Sequence, residues 1–140
     1  MTIKTKPHDG DVEAFLAAVP NERRRNDGRA LVELMREVTG VEPQLWGPTM
    51  IGFGAEPYTN SLGTNDWFIV GCSPRAAALT VYGIWDAYHP DPRFAGLGPH
   101  TTGKSCVYVK RLDALDSGLL RTLLGEAWER GQADAQRRIS

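Results

Sequence analysis

Val12, Phe15, Leu16 and Val19 recur at i, i+3, i+4 and i+7, the spacing that lines one face of a helix. Asp9 or Asp11 is placed to cap its start, and Pro20 ends it, because the residue before a proline is turned away from helical backbone. A second helix is expected from about Asn21, with Ala30, Leu31, Leu34, Met35 and Val38 on one face and Gly40 as its left-handed stop. Asp116 is placed to cap a third, whose Leu119, Leu120, Leu123, Leu124 and Ala127 form a buried face beside Trp128. Residues 131–140 are polar and read as a tail beyond a single domain spanning 1–130.

Between Pro43 and Lys110 the period changes from helical to extended. Residues 49–53 read as a first strand, with Gly52 weakening it or marking a bulge. Residues 60–65 form a turn. Residues 67–72 make the clearest strand, stopped by Ser73 and Pro74, and residues 78–83 and 105–110 supply two more. The stretch 85–103, punctuated by Pro90, Pro92 and Pro99, reads as a long loop with room for a helical turn. Helix, helix, antiparallel strands, helix is an α+β order, with the N- and C-terminal helices expected on one face of the sheet.

Alternation along the strands separates two sets. Phe68, Val70, Cys72, Leu79, Val81, Val107 and Val109 suit a helix-covered core, whereas the opposite set offers Trp67, Tyr82 and Tyr108. An antiparallel sheet can leave its second face to water, but three large aromatics are unusual cover for a solvated surface. Three readings stand: the long loop packs over them, they line a ligand pocket, or they meet a second subunit and make a homodimer.

At 140 residues the chain is long enough for one core without a disulfide or metal staple. Sixteen basic against seventeen acidic side chains give a net charge of −1, which argues against nucleic acid or an anionic membrane as partner. No stretch approaches the roughly 20 apolar residues of a membrane helix, and the N-terminus lacks a signal-like apolar run. Cys72 and Cys106 are too few for a disulfide framework, so the expectation is a soluble cytoplasmic protein.

Gly98-Pro99-His100-Thr101-Thr102-Gly103-Lys104-Ser105 fits the phosphate-loop pattern G-x-x-x-x-G-K-S. That loop works by delivering backbone N–H groups at the start of a helix. Here the strand-like Cys106-Val107-Tyr108-Val109 follows, so nucleotide hydrolysis is not expected. The same turn can still form an anion nest around His100 and Lys104, with Arg75 joining from a strand end. Trp67, Arg75, Tyr82, His100, Lys104 and Tyr108 are therefore the candidate ligand-binding residues. Cys106, near Lys104 and His100, is a candidate nucleophile, though a free cysteine more often packs as a small apolar residue. Asp86 and Asp91 flank the long loop as solvated acids, and His8, His89 and His100 lack zinc-site spacing. The aromatic residues suggest base stacking, but the strands lack the cations of a nucleic-acid groove.

Four motifs in order carry a resemblance: Trp46-Gly47-Pro48-Thr49-Met50-Ile51-Gly52-Phe53-Gly54, Trp67-Phe68-Ile69-Val70-Gly71-Cys72-Ser73-Pro74-Arg75, Ala78-Leu79-Thr80-Val81-Tyr82, and His100-Thr101-Thr102-Gly103-Lys104-Ser105-Cys106-Val107-Tyr108-Val109-Lys110. They are similar to those of the YdhG-like family, a bacterial domain, over residues 12–128. The resemblance implies a two-layer α+β sandwich and a Thr-Gly-Lys-Ser turn that enters a strand. Some family members are described as frataxin-like iron chaperones, which would place iron on an acidic ridge; Asp9, Asp11 and Glu13 are the matching carboxylates here. Arg23, Arg24, Arg25 and Arg29 oppose a cation, and a solvated helix face is the simpler reading.

The sequence thus reads as a non-enzymatic binding or accessory protein for a small molecule or anion, with iron as a second ligand class. Its alternatives are a small-metabolite enzyme using Cys106 or His100, and a homo-oligomer built on the aromatic sheet face.

Overall fold

The computed structural model describes residues 7–8, 11–54, 56–60 and 63–139, with side chains over 11–54 and 67–133. Three helices form where the apolar stripes predict them. α1 (Val12–Ala17) is capped by Asp11, whose carboxylate accepts from the Ala14 N–H at 3.1 Å. Asn21 caps α2 (Glu22–Thr39) in the same way, and Gly40 ends it at φ 73°, a left-handed conformation costly to other residues. Asp116 accepts from Leu119 N–H at the start of α3 (Ser117–Ile139).

Two of these helices depart from the predicted pattern. The buried stripe of α2 is Arg24, Gly28, Leu31, Val32 and Met35, while Ala30 is exposed. The true stripe begins with a charged residue and a glycine, which hydrophobicity cannot flag. α3 does not stop near residue 130: it runs to Ile139, so residues 131–139 extend the helix rather than leave it as a tail. Gly131 is buried against Ile69, and no proline interrupts the chain beyond it.

The strands are β1 (Pro7–His8), β2 (Gln44–Trp46), β3 (Met50–Phe53), β4 (Glu56–Asn60), β5 (Gly63–Trp67), β6 (Val70–Pro74), β7 (Leu79–Tyr82), β8 (Thr101–Thr102) and β9 (Cys106–Val109). β4 and β5 make a separate two-stranded ribbon; the other seven form one antiparallel sheet in the order β1-β2-β3-β6-β7-β9-β8. Ile51, Phe53, Val70, Cys72, Leu79, Val81, Val107 and Val109 meet the buried faces of α2 and α3, giving an α+β two-layer sandwich. No helix among the described residues is long and apolar enough to cross a membrane.

The predicted strand over 67–72 is broken. β5 ends at Trp67 and β6 begins at Val70, with Ile69 N–H donating to the Phe53 carbonyl at the break. Ile69 and Val70, adjacent in sequence, therefore both enter the core, and Phe68 turns to the second face with Trp67. There Phe68 lies over Gly52 and Gly71, where a Cβ would stand 2.6 and 2.8 Å from its ring. Trp46 and Tyr82 meet it edge-on, with ring centroids 5.6 Å away in each case, and Trp67 stacks on it at 4.6 Å. The Trp46 indole N–H is buried without an acceptor, so this ring contributes through shape and area.

The long loop meets the aromatic face only in part: Trp85 and His89 lie beside Trp67 and Tyr82, and Gly103 abuts Tyr108, which stays exposed. The loop's 3-10 turn (Pro92–Gly96) sends Phe94 and the following Leu97 into the helix-side core, since apolar side chains bury where the helices already exclude water.

Phe68→Ala is expected to cost about 3–5 kcal/mol, and Gly71→Ala about 1–3 kcal/mol through overpacking. Urea unfolding of the purified variants measures both. A loss below about 1 kcal/mol for Phe68→Ala would show that the aromatic layer adds little to the folded state.

Candidate functional site

The break at Phe68–Ile69 opens a cleft of about 730 Å³ at one end of the β6–β7 pair, within the usual size of small-molecule pockets. Trp67, Tyr82 and Trp85 supply aromatic walls, and Ala127 and Gly131 of α3 line it from the helix layer. These two lie four residues apart on one helix face, and the missing side chain of Gly131 makes room for Ile69. Asp86, His89, Asp91, Ser105 and Arg130 provide its polar lining.

These groups are held in defined positions. Trp85 donates its indole N–H to the Gly103 carbonyl at 3.0 Å and meets Phe94 edge-on at 4.9 Å. Two residues on, Ala87 N–H donates to the Lys104 carbonyl at 2.9 Å, so the β8–β9 turn anchors the cleft's rim. Asp86 faces His89 Nδ1 at 2.8 Å and accepts from Tyr88 N–H; the His89 bond, then the Tyr88 bond, hold its carboxyl below the usual carboxylate range. Asp91 is held down by Arg93, which also grips Glu126 of α3 at 2.6 Å and ties the loop to the helix. Burial pushes the Tyr82 phenol up, so it is a neutral hydroxyl at the cleft wall.

Of the residues singled out by sequence, Trp67 and Tyr82 line this cleft. Tyr108 and Cys106 share the sheet's second face with Tyr82, Cys106 lying directly across from it. Cys106 Sγ lies 3.1 Å from the Tyr108 hydroxyl, and this contact is the first cause of that phenol's raised pKa. Arg75 sits at the C-terminal end of β6, donating to Ser73 Oγ and Thr49 Oγ1, and its guanidinium also reaches the Tyr82 phenol, where it partly offsets the upward shift from burial. His100 is not part of the group: its Nδ1 lies 2.7 Å from the Gly98 carbonyl and its ring packs on Phe94 of the helix-side core. Lys104 reaches the site only through its backbone carbonyl. His100 and Cys106 therefore face different layers and do not form a nucleophile–base pair.

The phosphate-loop letters fall on a hairpin, β8 and β9, closed by Gly103 N–H donating to the Cys106 carbonyl at 2.9 Å. Asp11 is used as a helix cap and Glu13 pairs with Arg29 at 2.8 Å, so both carboxylates already have partners; Asp9 lies outside the described residues. Among the described residues no three His, Cys, Asp or Glu side chains converge as a metal site. Asp86, Asp91 and His89 read in the sequence as loop residues without a site, and Trp85 and Arg130 are not among the candidate ligand-binding residues there, because the loop and the middle of α3, far apart in the chain, bring them together.

The two thiols differ sharply. Cys72 is fully buried and burial pushes its pKa up to about 12, whereas Cys106 is half-buried beside a phenol. Ellman's reagent is expected to modify Cys106 and not Cys72 in the native protein. A thiol with a higher pKa folded than unfolded stabilises fully below the unfolded value, about 8.5, and that stability is lost as pH rises toward the folded value. Urea midpoints should accordingly fall above about pH 8.5, and Cys72→Ala should flatten that decline below about pH 10, where tyrosines begin to titrate. An unchanged slope in the variant would locate the alkaline sensitivity elsewhere.

Comparison with protein families, with curated proteins and with solved structures finds no match to this chain.

Proposed function

We propose that this chain is a small binding protein, as its resemblance to the YdhG-like family suggests, and that its ligand is a flat, polar metabolite held in the aromatic cleft. The observation that carries this reading is the pairing of aromatic walls with a fixed polar edge in a space of about 730 Å³. Trp67, Tyr82 and Trp85 offer ring faces and edges for a planar heterocycle. Asp86, an ionised acceptor kept in place by His89, suits a ring N–H or an exocyclic amine. Ser105 and Arg130 add polar groups to the lining for a carbonyl or carboxylate on the same ligand.

Binding rather than catalysis fits the chemistry present. The carboxylates on the rim are already paired, with pKa values moved away from the neutral range that a general acid or base requires. The exposed thiol lies beside a phenol, and the histidine expected to serve it faces the other layer.

Nucleosides, nicotinamide, pterins and aromatic amines form a suitable first panel, read by quenching of tryptophan fluorescence and by thermal shift. At least one class should bind saturably, with Trp85→Ala weakening it tenfold or more and Asp86→Asn weakening amine-bearing members selectively. Equal affinity in wild type and Trp85→Ala would remove the cleft as the site. Absence of saturable binding across the panel would count against a planar ligand.

A further inference from the structure

A second recess, of about 370 Å³, lies at the other end of β6, between the close of α1 and the turn that follows Pro74. Phe15, Val19, Pro20 and Pro74 give it an apolar wall, and Ser73, Thr49 and Arg75 stand at its polar side. The arginines around it differ from the other described arginines in their partners. Arg23, Arg29, Arg36, Arg93, Arg111 and Arg121 each meet a carboxylate, and Arg130 lies in the field of Asp91 and Glu126. Arg24, Arg25 and Arg75 pair with no carboxylate among the described residues.

Arg75 lines this recess, and Arg24 and Arg25 bind the backbone of its lining residues. Arg25 donates to the Val19 carbonyl at 2.8 Å and Arg24 to the Arg75 carbonyl at 2.8 Å, so each grips the backbone of a lining residue. Arg24 is only 8% exposed, and its buried Nε has no acceptor among the described residues. A buried guanidinium with one neutral acceptor is costly unless an anion lies near. Arg75 is exposed, and its contacts with Ser73 Oγ at 3.2 Å and Thr49 Oγ1 at 3.4 Å orient its guanidinium while leaving its charge uncompensated. Glu22, in the first turn of α2, forms no ion pair with any of the three among the described residues.

We infer that this recess is an anion site, taking the carboxylate or phosphate of an amphiphile whose short apolar body lies along Phe15, Val19 and Pro74. Arg75 is the direct contact, through the planar fork that suits such head groups. Arg24 and Arg25 act as positioning residues that hold the recess backbone and supply positive potential. The two recesses share no lining residue, although Arg75 of this one reaches Tyr82 of the aromatic cleft.

Isothermal titration with octanoate, octyl phosphate, octanol and octylamine tests the assignment. Octanoate or octyl phosphate should bind saturably, and the tighter of the two names the head group; octanol and octylamine should bind at least tenfold more weakly. Arg75→Met should weaken the anion tenfold or more, and so should Ala18→Glu, which adds a negative charge at an exposed position on the rim. Trp85→Ala, in the other cleft, should leave the affinity within twofold. Octanol binding as tightly as both anions, full affinity in Arg75→Met, loss of binding in Trp85→Ala, or no saturable binding of either anion would each overturn the proposal.

Discussion

The fold turns on one side chain placed against two missing ones. Phe68 can lie flat on the second face of the sheet because Gly52 and Gly71 leave room beneath its ring. With Phe68 on that side and Ile69 in the core, the chain must break between β5 and β6. That break lets consecutive residues serve opposite layers, and it places Ile69 close enough to Gly131 to fix the approach of α3. The aromatic cluster, the helix-side core and the cleft between them are consequences of the same local geometry. A side chain at either glycine would displace the ring that the aromatic cluster and the cleft share.

The β6–β7 pair carries a recess at each end, and their electrostatics differ in kind. Around the aromatic cleft, Asp86 is hydrogen-bonded to His89, and Arg93 neutralises Asp91 and Glu126 locally. Such a site presents oriented dipoles and ring faces, and selects by shape and hydrogen bonding. The recess beside α1 is bordered by guanidinium groups held on backbone carbonyls, and its field has one sign. Two separated sites of different character on a rigid hairpin would let one small domain recognise two unlike ligands.

Much of the fold was legible because its cues are local. Asp11, Asn21 and Asp116 cap where a short polar side chain precedes an apolar stripe, and Gly40 stops α2 as its lack of a Cβ allows. The strands over 50–53, 79–82 and 106–109 follow from β-branched and aromatic alternation. The failures have physical causes. Alternation through residues 67–72 assumed a continuous strand, and only the space above Gly71 and above Gly52 on the neighbouring β3 reveals that Phe68 leaves the register. Arg24 reads as a surface charge until the turn after Pro74 offers it a carbonyl. Of the candidate site, the aromatic residues Trp67 and Tyr82 were legible, while His100 was misplaced because nearness in sequence to Cys106 says nothing about which layer each residue faces.

The sheet's margins carry a further consequence. Both outermost strands, β1 and β8, contain two residues, and Pro7 in β1 has no N–H to offer. A strand so short gives a neighbouring chain almost no ladder to extend, which is a common protection against edge-to-edge aggregation. Growth of this sheet by addition of a foreign strand is therefore disfavoured at either border. Recognition is left to faces and hollows, where side-chain chemistry rather than backbone pairing decides what is accepted.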